Sequence, residues 1–184
     1  MSISTQPLQS TTHTYGEFDL DRLYFYVADD LSDTYISSIF KTMMREDAKT
    51  SYFYQFDMTF YNDQMFINFA RDDSRVFVVA EYDGKAAAVM SVENLLPGLG
   101  SISYYGMRFV RGKQSVYIGK VFLIYMLKYY NTLIGISPIT KGSSMKFNER
   151  IGMKEIGIIP GACYIARENK YVDGLLTQID RRAL

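Results

Sequence analysis

A short basic segment at residues 111–115 contains the residue types best suited to binding an anion. Arg111 and Lys113 bring two positive charges, and Gly112 permits a close approach of the backbone. The apolar run at residues 116–130 that follows predicts a buried helix. Exposed N–H groups at a helix N-terminus favour anions, so this segment is a candidate phosphate site. A solvated basic turn is the alternative interpretation, and the residues themselves leave both open.

Histidine and metal chemistry have little support in the sequence. The single histidine, His13, lies in a Ser/Thr/Gln-rich leader whose composition is that of a flexible tail. The single cysteine, Cys163, excludes an intramolecular disulfide and any multi-cysteine metal site. Because its neighbours alternate as in a strand, we predict a buried core thiol and no metal site.

Length and composition predict one globular domain. The 184 residues suffice for one sizeable core, and we expect a tail at residues 1–18 and a single domain at residues 19–184. Twenty basic and twenty acidic residues cancel, so binding of nucleic acid through bulk charge is not expected. The leader lacks the pattern of a signal peptide, and no apolar stretch reaches the length of about 18 residues that a membrane span needs. We therefore expect no membrane association.

The first part of the chain predicts one strand and two helices. Residues 22–28 are rich in aromatic and β-branched side chains, as in a strand. Ser32 or Asp33 could cap a helix whose apolar side chains recur at spacings of three and four. Asn62 could cap a second, short helix. The aromatic residues at positions 52–69 either fill the core or line a substrate cleft.

From residue 75 onward the sequence shows the period of strands. Asp83 and Gly84 between two alternating runs predict a tight hairpin, because glycine accepts the positive φ of such a turn. A break at residues 95–100 precedes a fourth predicted strand at residues 101–110. The remaining predicted elements are a helix at 116–130, a strand at 133–139, a helix at 143–151 and a closing pair of strands at 153–166 and 171–179.

This order of elements resembles the GNAT superfamily of N-acetyltransferases. The most specific part is KFNERIGMKE at residues 146–155, which is similar to the family's helix ending in an aromatic-x-Lys-Leu-Gly-Phe string. The segment YVDGLL at residues 171–176 is similar to the family's final strand. The resemblance implies an α/β (α+β) fold with a mixed, mostly antiparallel central sheet flanked by helices.

In the GNAT family, a Gln/Arg-x-x-Gly-x-Gly/Ala loop and the next helix N-terminus bind the pyrophosphate of CoA. In one register Arg111 is first, and Gln114 and Val116 stand where the glycines belong. In the other register Gln114 is first, Tyr117 replaces the first glycine and Gly119 supplies the second. The resemblance implies acetyl-CoA as cofactor, with contacts at Phe109, Val110, Arg111, Gly112, Lys113, Gln114, Ser115 and Gly119.

Catalysis in the family is direct attack of an amine on the acetyl thioester. It uses a base, often a carboxylate on the fourth strand, and a proton donor, often a tyrosine. The fourth strand here has no carboxylate, the family's usual tyrosine falls at Asn148, and its upstream asparagine falls at Lys141. Tyr104, Tyr105 or Ser144 could replace the tyrosine, and Tyr105 and Ser144 are the catalytic candidates that we select.

The resemblance supports two hypotheses about function. The first is a cytoplasmic GNAT-type N-acetyltransferase with a diverged cofactor loop, acting on an amine of a small molecule or a protein. The second is a noncatalytic GNAT-fold binding or structural protein, because the glycine pair, the carboxylate and the tyrosine are all replaced. Strings at residues 129–133 and 146–152 are similar to GNAT-like proteins of tailed phages, which implies a virion location and virion partners. A homodimer is implied because family members often pair through their C-terminal strands.

Overall fold

The computed structural model describes residues 22–46, 62–165 and 168–183. The predictions made for the tail and His13, and for the aromatic residues at positions 52–61, lie outside these ranges. The helices are α1 (Asp33–Arg45), α2 (Asp63–Ala70), α3 (Lys113–Met126) and α4 (Gly142–Ile151). The strands are β1 (Leu23–Val27), β2 (Arg75–Tyr82), β3 (Lys85–Leu96), β4 (Leu99–Gly106), β5 (Thr132–Pro138), β6 (Lys154–Ile165) and β7 (Lys170–Asp180).

These strands form one sheet in the order β1-β2-β3-β4-β5-β7-β6. β4 and β5 run parallel, and all other neighbours in the sheet are antiparallel. The crossover between β4 and β5 is made by α3, as a parallel connection requires. The predicted fold class, a mixed and mostly antiparallel sheet flanked by helices, is confirmed.

The helices cover both faces of the sheet. Side chains that follow one another in a strand point to opposite faces. In β4, the Tyr104 hydroxyl bonds Ser115 of α3, whereas the Tyr105 hydroxyl bonds Glu46 at the end of α1. Since α1 packs on α2 and α3 packs on α4, each pair of helices occupies its own face.

The first two helices form where the sequence predicts them. The Ser32 Oγ accepts a hydrogen bond from the Tyr35 N–H at 3.2 Å, so Ser32 caps α1 and Asp33 belongs to its first turn. The apolar face of α1 is buried and consists of Ile36, Ile39, Phe40 and Met43. Asn62 caps α2 by accepting from the Met65 N–H at 3.0 Å.

Two aromatic residues of α2 fill the core between this helix and the sheet. Phe66 is fully buried, and its ring meets that of Phe77 on β2 edge to face at 5.6 Å. Phe69 meets the same ring edge to face at 6.1 Å. Of the two interpretations of the aromatic segment, these side chains fit the core.

The predicted boundary between the third and fourth strands is wrong. β3 continues to Leu96 and pairs there with Leu99, which already belongs to β4. Pro97 and Gly98 form the two-residue turn, and Gly98 has a φ of 79°. Proline followed by glycine at positive φ suits the central positions of a type II turn, so the apparent break is a hairpin. β4 then ends at Gly106, before a 3₁₀ helix at Arg108–Val110.

The predicted third helix is displaced toward the N-terminus of the chain. α3 already begins at Lys113, because the first turn of a helix presents its N–H groups to solvent or ligand and tolerates polar side chains. It ends at Met126, although Leu127 and Tyr130 are also buried. The apolar run therefore indicates burial, and the buried segment extends past the end of the helix. After it, the Asn131 N–H donates to the Gly98 carbonyl at 2.8 Å.

Cys163 is a buried core thiol, as predicted, and burial raises its pKa to about 11. Within residues 22–46, 62–165 and 168–183, no three histidine, cysteine, aspartate or glutamate side chains are arranged to hold a metal ion. The helices in these ranges are all too short or too polar to span a membrane.

Gly119 lets α3 and α4 approach closely, and its replacement tests this packing. A Cβ at this position would lie 2.9 Å from Cζ of Phe147 and 3.0 Å from Cγ2 of Ile151. We expect Gly119→Val to lower the free energy of unfolding by about 1–3 kcal/mol, measured by urea denaturation, because the added atoms overpack the contact. Gly142→Val is the matched control, since a Cβ there meets open space. Equal losses in the two variants would contradict this account of the packing.

Candidate functional site

A cleft opens where β4 and β5 part. The two strands pair over only four residues each, from Leu99 with Thr132 to Ile102 with Gly135. Beyond this point β4 stays paired with β3 up to Gly106, and β5 stays paired with β7 up to Pro138. The facing backbone edges of residues 103–106 and 136–138 are thus released from each other. A ligand that enters here meets backbone N–H and C=O groups on both walls.

The cleft has a volume of about 520 Å³. Its walls come from the parted strands, from the loop before α3, from the first turn of α3 and from α4 as far as its last residue, Ile151. Its polar lining residues include Ser103, Tyr104, Tyr105, Ser115, Ser137, Ser143, Ser144 and Asn148. This size is within the usual range for pockets that hold small molecules.

The N-terminus of α3 lies in the wall of the cleft. Gly112 caps this helix with φ 86° and ψ −130°, a conformation that is essentially restricted to glycine. The first helical bond is from the Val116 N–H to the Gly112 carbonyl, so the three preceding N–H groups have no acceptor within the helix. Together with the positive end of the helix dipole, they form a suitable site for an anion.

The charged lining of the cleft is entirely cationic. Arg111 lies before α3, and Lys141, Lys146 and Arg150 lie on or next to α4. No aspartate or glutamate is among the residues that line the cleft within the described ranges. None of the four cations forms an ion pair with a described carboxylate. The cleft therefore concentrates positive charge in a chain whose net charge is zero.

The residues predicted to contact a cofactor are only partly brought together. Arg111, Gly112 and Ser115 line the cleft, and Lys113 and Gln114 lie in the first turn of α3. The register that begins at Arg111 thus coincides with the helix N-terminus. The other three predicted contacts lie elsewhere: Phe109 is 51% exposed, Val110 is buried in the core, and Gly119 packs against α4.

Tyr104 forms part of the cleft wall on the α3 side. Its hydroxyl donates to the Ser115 carbonyl at 2.9 Å and lies 2.9 Å from the Ser115 Oγ. Its ring stacks on Phe147 with 4.5 Å between centroids. Burial raises the pKa of Tyr104, and the hydrogen bond from Ser115 opposes this only in part. Tyr104 is therefore a neutral side chain fixed by its neighbours.

Tyr105 points to the opposite face of the sheet and contacts a carboxylate that the sequence did not reveal. Its hydroxyl donates to Glu46 Oε2 at 3.2 Å, and the Arg108 N–H donates to the same oxygen at 2.9 Å. Burial, followed by the charge of Glu46, raises the pKa of Tyr105 to about 12. β4 carries no carboxylate of its own, but Glu46 at the end of α1 contacts it. The two contacting residues are 59 positions apart in the sequence, so no local motif predicts this contact.

Asn148 and Ser144 lie one helical turn apart on the side of α4 that faces the cleft. The Asn148 Nδ2 donates to Ser137 Oγ at 3.2 Å and to Thr177 Oγ1 at 3.3 Å. Thr177 in turn donates to the Gly135 carbonyl at 3.2 Å. Sequence reasoning missed Ser137 and Thr177, because only the pairing of β5 with β7 brings them next to α4.

A comparison of the sequence with protein-family models gives no match, and neither does a comparison with curated proteins. Solved structures do share the fold. The ribosomal L7/L12 α-N-protein acetyltransferase RimL, in complex with coenzyme A, is 10% identical with a TM-score of 0.71, over 89% of this chain and 96% of that chain. The ribosomal-protein-S5-alanine acetyltransferase from Vibrio fischeri is 14% identical with a TM-score of 0.70, over 89% of this chain and 96% of that chain.

The microcin C7 self-immunity acetyltransferase MccE, in complex with acetyl-CoA and AMP, is 14% identical with a TM-score of 0.67, over 87% of this chain and 93% of that chain. These likenesses cover nearly the whole of each protein. The chain described above therefore has the fold of GNAT acetyltransferases.

Glu46→Ala tests whether this carboxylate holds β4 and the following loop. We expect the free energy of unfolding to fall by about 1–3 kcal/mol, because the Tyr105 hydroxyl and the Arg108 N–H lose a charged acceptor. The pKa of Tyr105 should also fall toward the ordinary value of 10.0, since one cause of its rise is removed. Urea denaturation and titration of phenolate absorbance measure the two effects.

Glu155→Ala is the control for Glu46→Ala, because Glu155 is exposed on β6. A surface substitution of this kind should change stability by no more than about 0.5 kcal/mol. An alkaline titration of Glu46→Ala that is identical to that of the wild type would contradict the contact with Tyr105. Stability contributed by the raised pKa of Tyr105 is present below pH 10.0 and is lost as the pH rises toward about 12.

Proposed function

We propose that this chain is a GNAT-type N-acetyltransferase that binds acetyl-CoA in the cleft between β4 and β5 and acetylates an amine. The observation that carries the proposal is the meeting of an unpaired helix N-terminus with four cationic side chains, and no carboxylate, in the described lining of that cleft. CoA carries a pyrophosphate and a further phosphate, so its charge complements this lining.

The residues present fit the phosphate end of acetyl-CoA. The free N–H groups at the start of α3 suit the pyrophosphate, and Arg111 suits a phosphate oxygen because its guanidinium donates in a planar fork. Gln114 and Val116 stand where the family has glycines. The Gln114 N–H has no acceptor within the helix, whereas the Val116 N–H bonds the Gly112 carbonyl. Gly112 supplies the special backbone conformation that the loop requires.

Two structures with the same fold support this assignment through the ligands that they contain. RimL was solved with coenzyme A, and MccE was solved with acetyl-CoA and AMP. Both proteins are acetyltransferases, although at 10% and 14% identity the likeness itself concerns the fold. The transfer of that activity to this chain is our proposal.

When bound, acetyl-CoA supplies a thioester whose carbonyl carbon can be attacked by an amine. On the α1 face, the Glu46 carboxylate can accept a proton that the amine loses, through the hydroxyl of Tyr105. On the α4 wall, Ser144 offers a hydroxyl that can donate a hydrogen bond to the ligand. Tyr105 and Ser144 are therefore the proposed catalytic residues, one on each side of the sheet.

A noncatalytic GNAT-fold protein is the second candidate function. It is favoured by Asn148, whose amide cannot act as an acid where the family has a tyrosine, and by the loss of the glycine pair. In that case the cleft would bind an anionic ligand without turnover. The amine substrate, the homodimer, the cytoplasmic location and the virion association remain predictions.

Binding of acetyl-CoA tests the ligand. We expect saturable binding by isothermal titration calorimetry, and we expect Arg111→Ala to weaken it about tenfold or more, because a charge-assisted hydrogen bond is lost. Gly112→Ala should weaken binding as well, because any side chain strains a backbone with φ 86° and displaces the N–H groups.

Gly84→Ala is the matched control for Gly112→Ala. Gly84 has a φ of 72° in the hairpin between β2 and β3, and a Cβ there meets open space. It should lose stability by a similar amount but bind acetyl-CoA like the wild type. The absence of any heat with acetyl-CoA at millimolar concentration would overturn the proposed function.

Acetyl transfer to a panel of amines distinguishes the two candidates. Release of CoA should depend on the amine, and Tyr105→Phe and Ser144→Ala should each lower kcat by about tenfold or more with little change in the affinity for acetyl-CoA. A wild type that binds acetyl-CoA but acetylates no amine of a panel covering polyamines, amino acids, aminoglycosides and peptide N-termini would support the noncatalytic candidate.

A further inference from the structure

A buried amide in the lining of the cleft bonds to the hydroxyl of Ser137. Asn148 lines the cleft but is only 9% exposed. Both hydrogens of its Nδ2 are used, one toward Ser137 Oγ at 3.2 Å and one toward Thr177 Oγ1 at 3.3 Å. A buried amide needs such partners, because leaving its donors unpaired would cost stability.

The hydroxyl of Thr177 determines which way the Asn148 amide faces. A hydroxyl has one hydrogen, and the acceptors that the structure gives that of Thr177 are the Gly135 carbonyl at 3.2 Å and the Met153 sulfur at 3.7 Å. Its oxygen must therefore accept from the Asn148 nitrogen. With the amide turned around, its oxygen would face two hydroxyls, and Thr177 would have to donate to it in place of the Gly135 carbonyl or the Met153 sulfur. The nitrogen consequently faces both hydroxyls.

Ser137 is left with a hydrogen to donate. Its Oγ already accepts from Asn148, and within residues 22–46, 62–165 and 168–183 no acceptor receives its own hydrogen. Ser137 lies on β5 two residues beyond Gly135, the last residue of that strand to pair with β4. It lines the cleft where the strands begin to part, whereas Arg111 and the start of α3 follow the far end of β4.

We propose that Ser137 donates a hydrogen bond to the sulfur of CoA, with Asn148 and Thr177 as positioning residues. This inference rests on the proposed function, since it places the phosphates at α3 and the thioester where the strands begin to part. The amine nitrogen bonds to the acyl carbon while the bond between that carbon and sulfur breaks. The electron pair of the broken bond goes to sulfur. The amine gives its proton to Glu46, and water carries it away.

Ser137 keeps its own proton in this step. A serine hydroxyl is a much weaker acid than a thiol, so it stabilises the thiolate through a hydrogen bond and does not protonate it. A thiol ionises near pH 8.5 without help, so a thiolate is a competent leaving group once it is stabilised. A donor on β5 thus removes the need for an acid at position 148.

The pKa of the thiol in bound CoA tests the contact without requiring the amine substrate. It is measured on the wild type saturated with CoA by following thiolate absorbance in the ultraviolet as the pH is raised. We expect a pKa about one unit below that of free CoA, which is about a tenfold change in the ionisation constant. Because cations in the cleft also favour the thiolate, the decisive quantity is the difference between variants.

Ser137→Ala should raise the bound thiol pKa toward the value of free CoA, whereas Ser137→Thr, which keeps a hydroxyl, should retain most of the shift. Thr177→Val should give an intermediate value, because the Asn148 amide loses the partner that fixes it. Ser38→Ala removes a hydroxyl that bonds the Tyr35 carbonyl on α1 and should leave the thiol pKa unchanged.

Equal thiol pKa values in the wild type and Ser137→Ala, with CoA bound to both, would overturn the role of Ser137 and leave the proposed function intact. Failure of CoA to bind the wild type would overturn both. If Ser137→Ala does not fold, Thr177→Val is compared with the wild type in the same titration, because it disturbs the amide that bonds Ser137 and keeps every cation of the cleft. A higher thiol pKa in Thr177→Val supports the contact, and equal values overturn it.

Discussion

The parting of β4 and β5 after the pair of Ile102 with Gly135 is the constraint on which the site depends. Each strand remains bonded to its outer neighbour, β4 to β3 and β5 to β7, so the sheet divides into two walls that each consist of paired strands. Backbone groups on the facing edges are then available inside the molecule, where unpaired polar groups are costly. Such an edge favours an elongated ligand that can bond to both walls. The parallel connection from β4 to β5 starts at the end of β4 where the strands part. The N-terminus of α3, which makes this connection, therefore lies next to the cleft.

Charge in this protein is informative only once it is located in space. Twenty acidic and twenty basic residues give a net charge of zero, which argued against a broad electrostatic footprint. The fold nevertheless gathers Arg111, Lys141, Lys146 and Arg150 around one cleft, with Glu46 on the opposite face of β4. The sheet thus separates a cationic side from a side that carries a carboxylate. A thioester whose phosphates bind on the first side could meet an amine that loses its proton on the second.

Local features of the fold were predictable, whereas the contacts of the site were not. The Ser32 cap, the Asp83-Gly84 hairpin and the fold class depend on neighbouring residues and on the order of elements, which the sequence displays directly. The break at residues 95–100 was misjudged because a proline–glycine turn and a loop share the same residue types. For the site, residues 111–115 were recognisable as one segment. Glu46, Ser137 and Thr177 were not, since each reaches its partner through pairing of distant elements.

The replacement of an acid at position 148 need not remove catalysis, because the two roles of the family's tyrosine can be separated. One role is to place a hydrogen-bond donor at the thioester, and the other is to supply a proton. A thiolate leaving group needs mainly the hydrogen bond, because a thiol ionises near pH 8.5 without help. If the position had no function, an apolar side chain would fill it without the desolvation cost of an amide. Instead Asn148 is buried and bonded to hydroxyls on two strands, and the more exposed of these hydroxyls, Ser137, retains a hydrogen directed by that network. In the proposed mechanism, the polar donor lies on strand β5 and not on helix α4, and it remains where β4 and β5 separate.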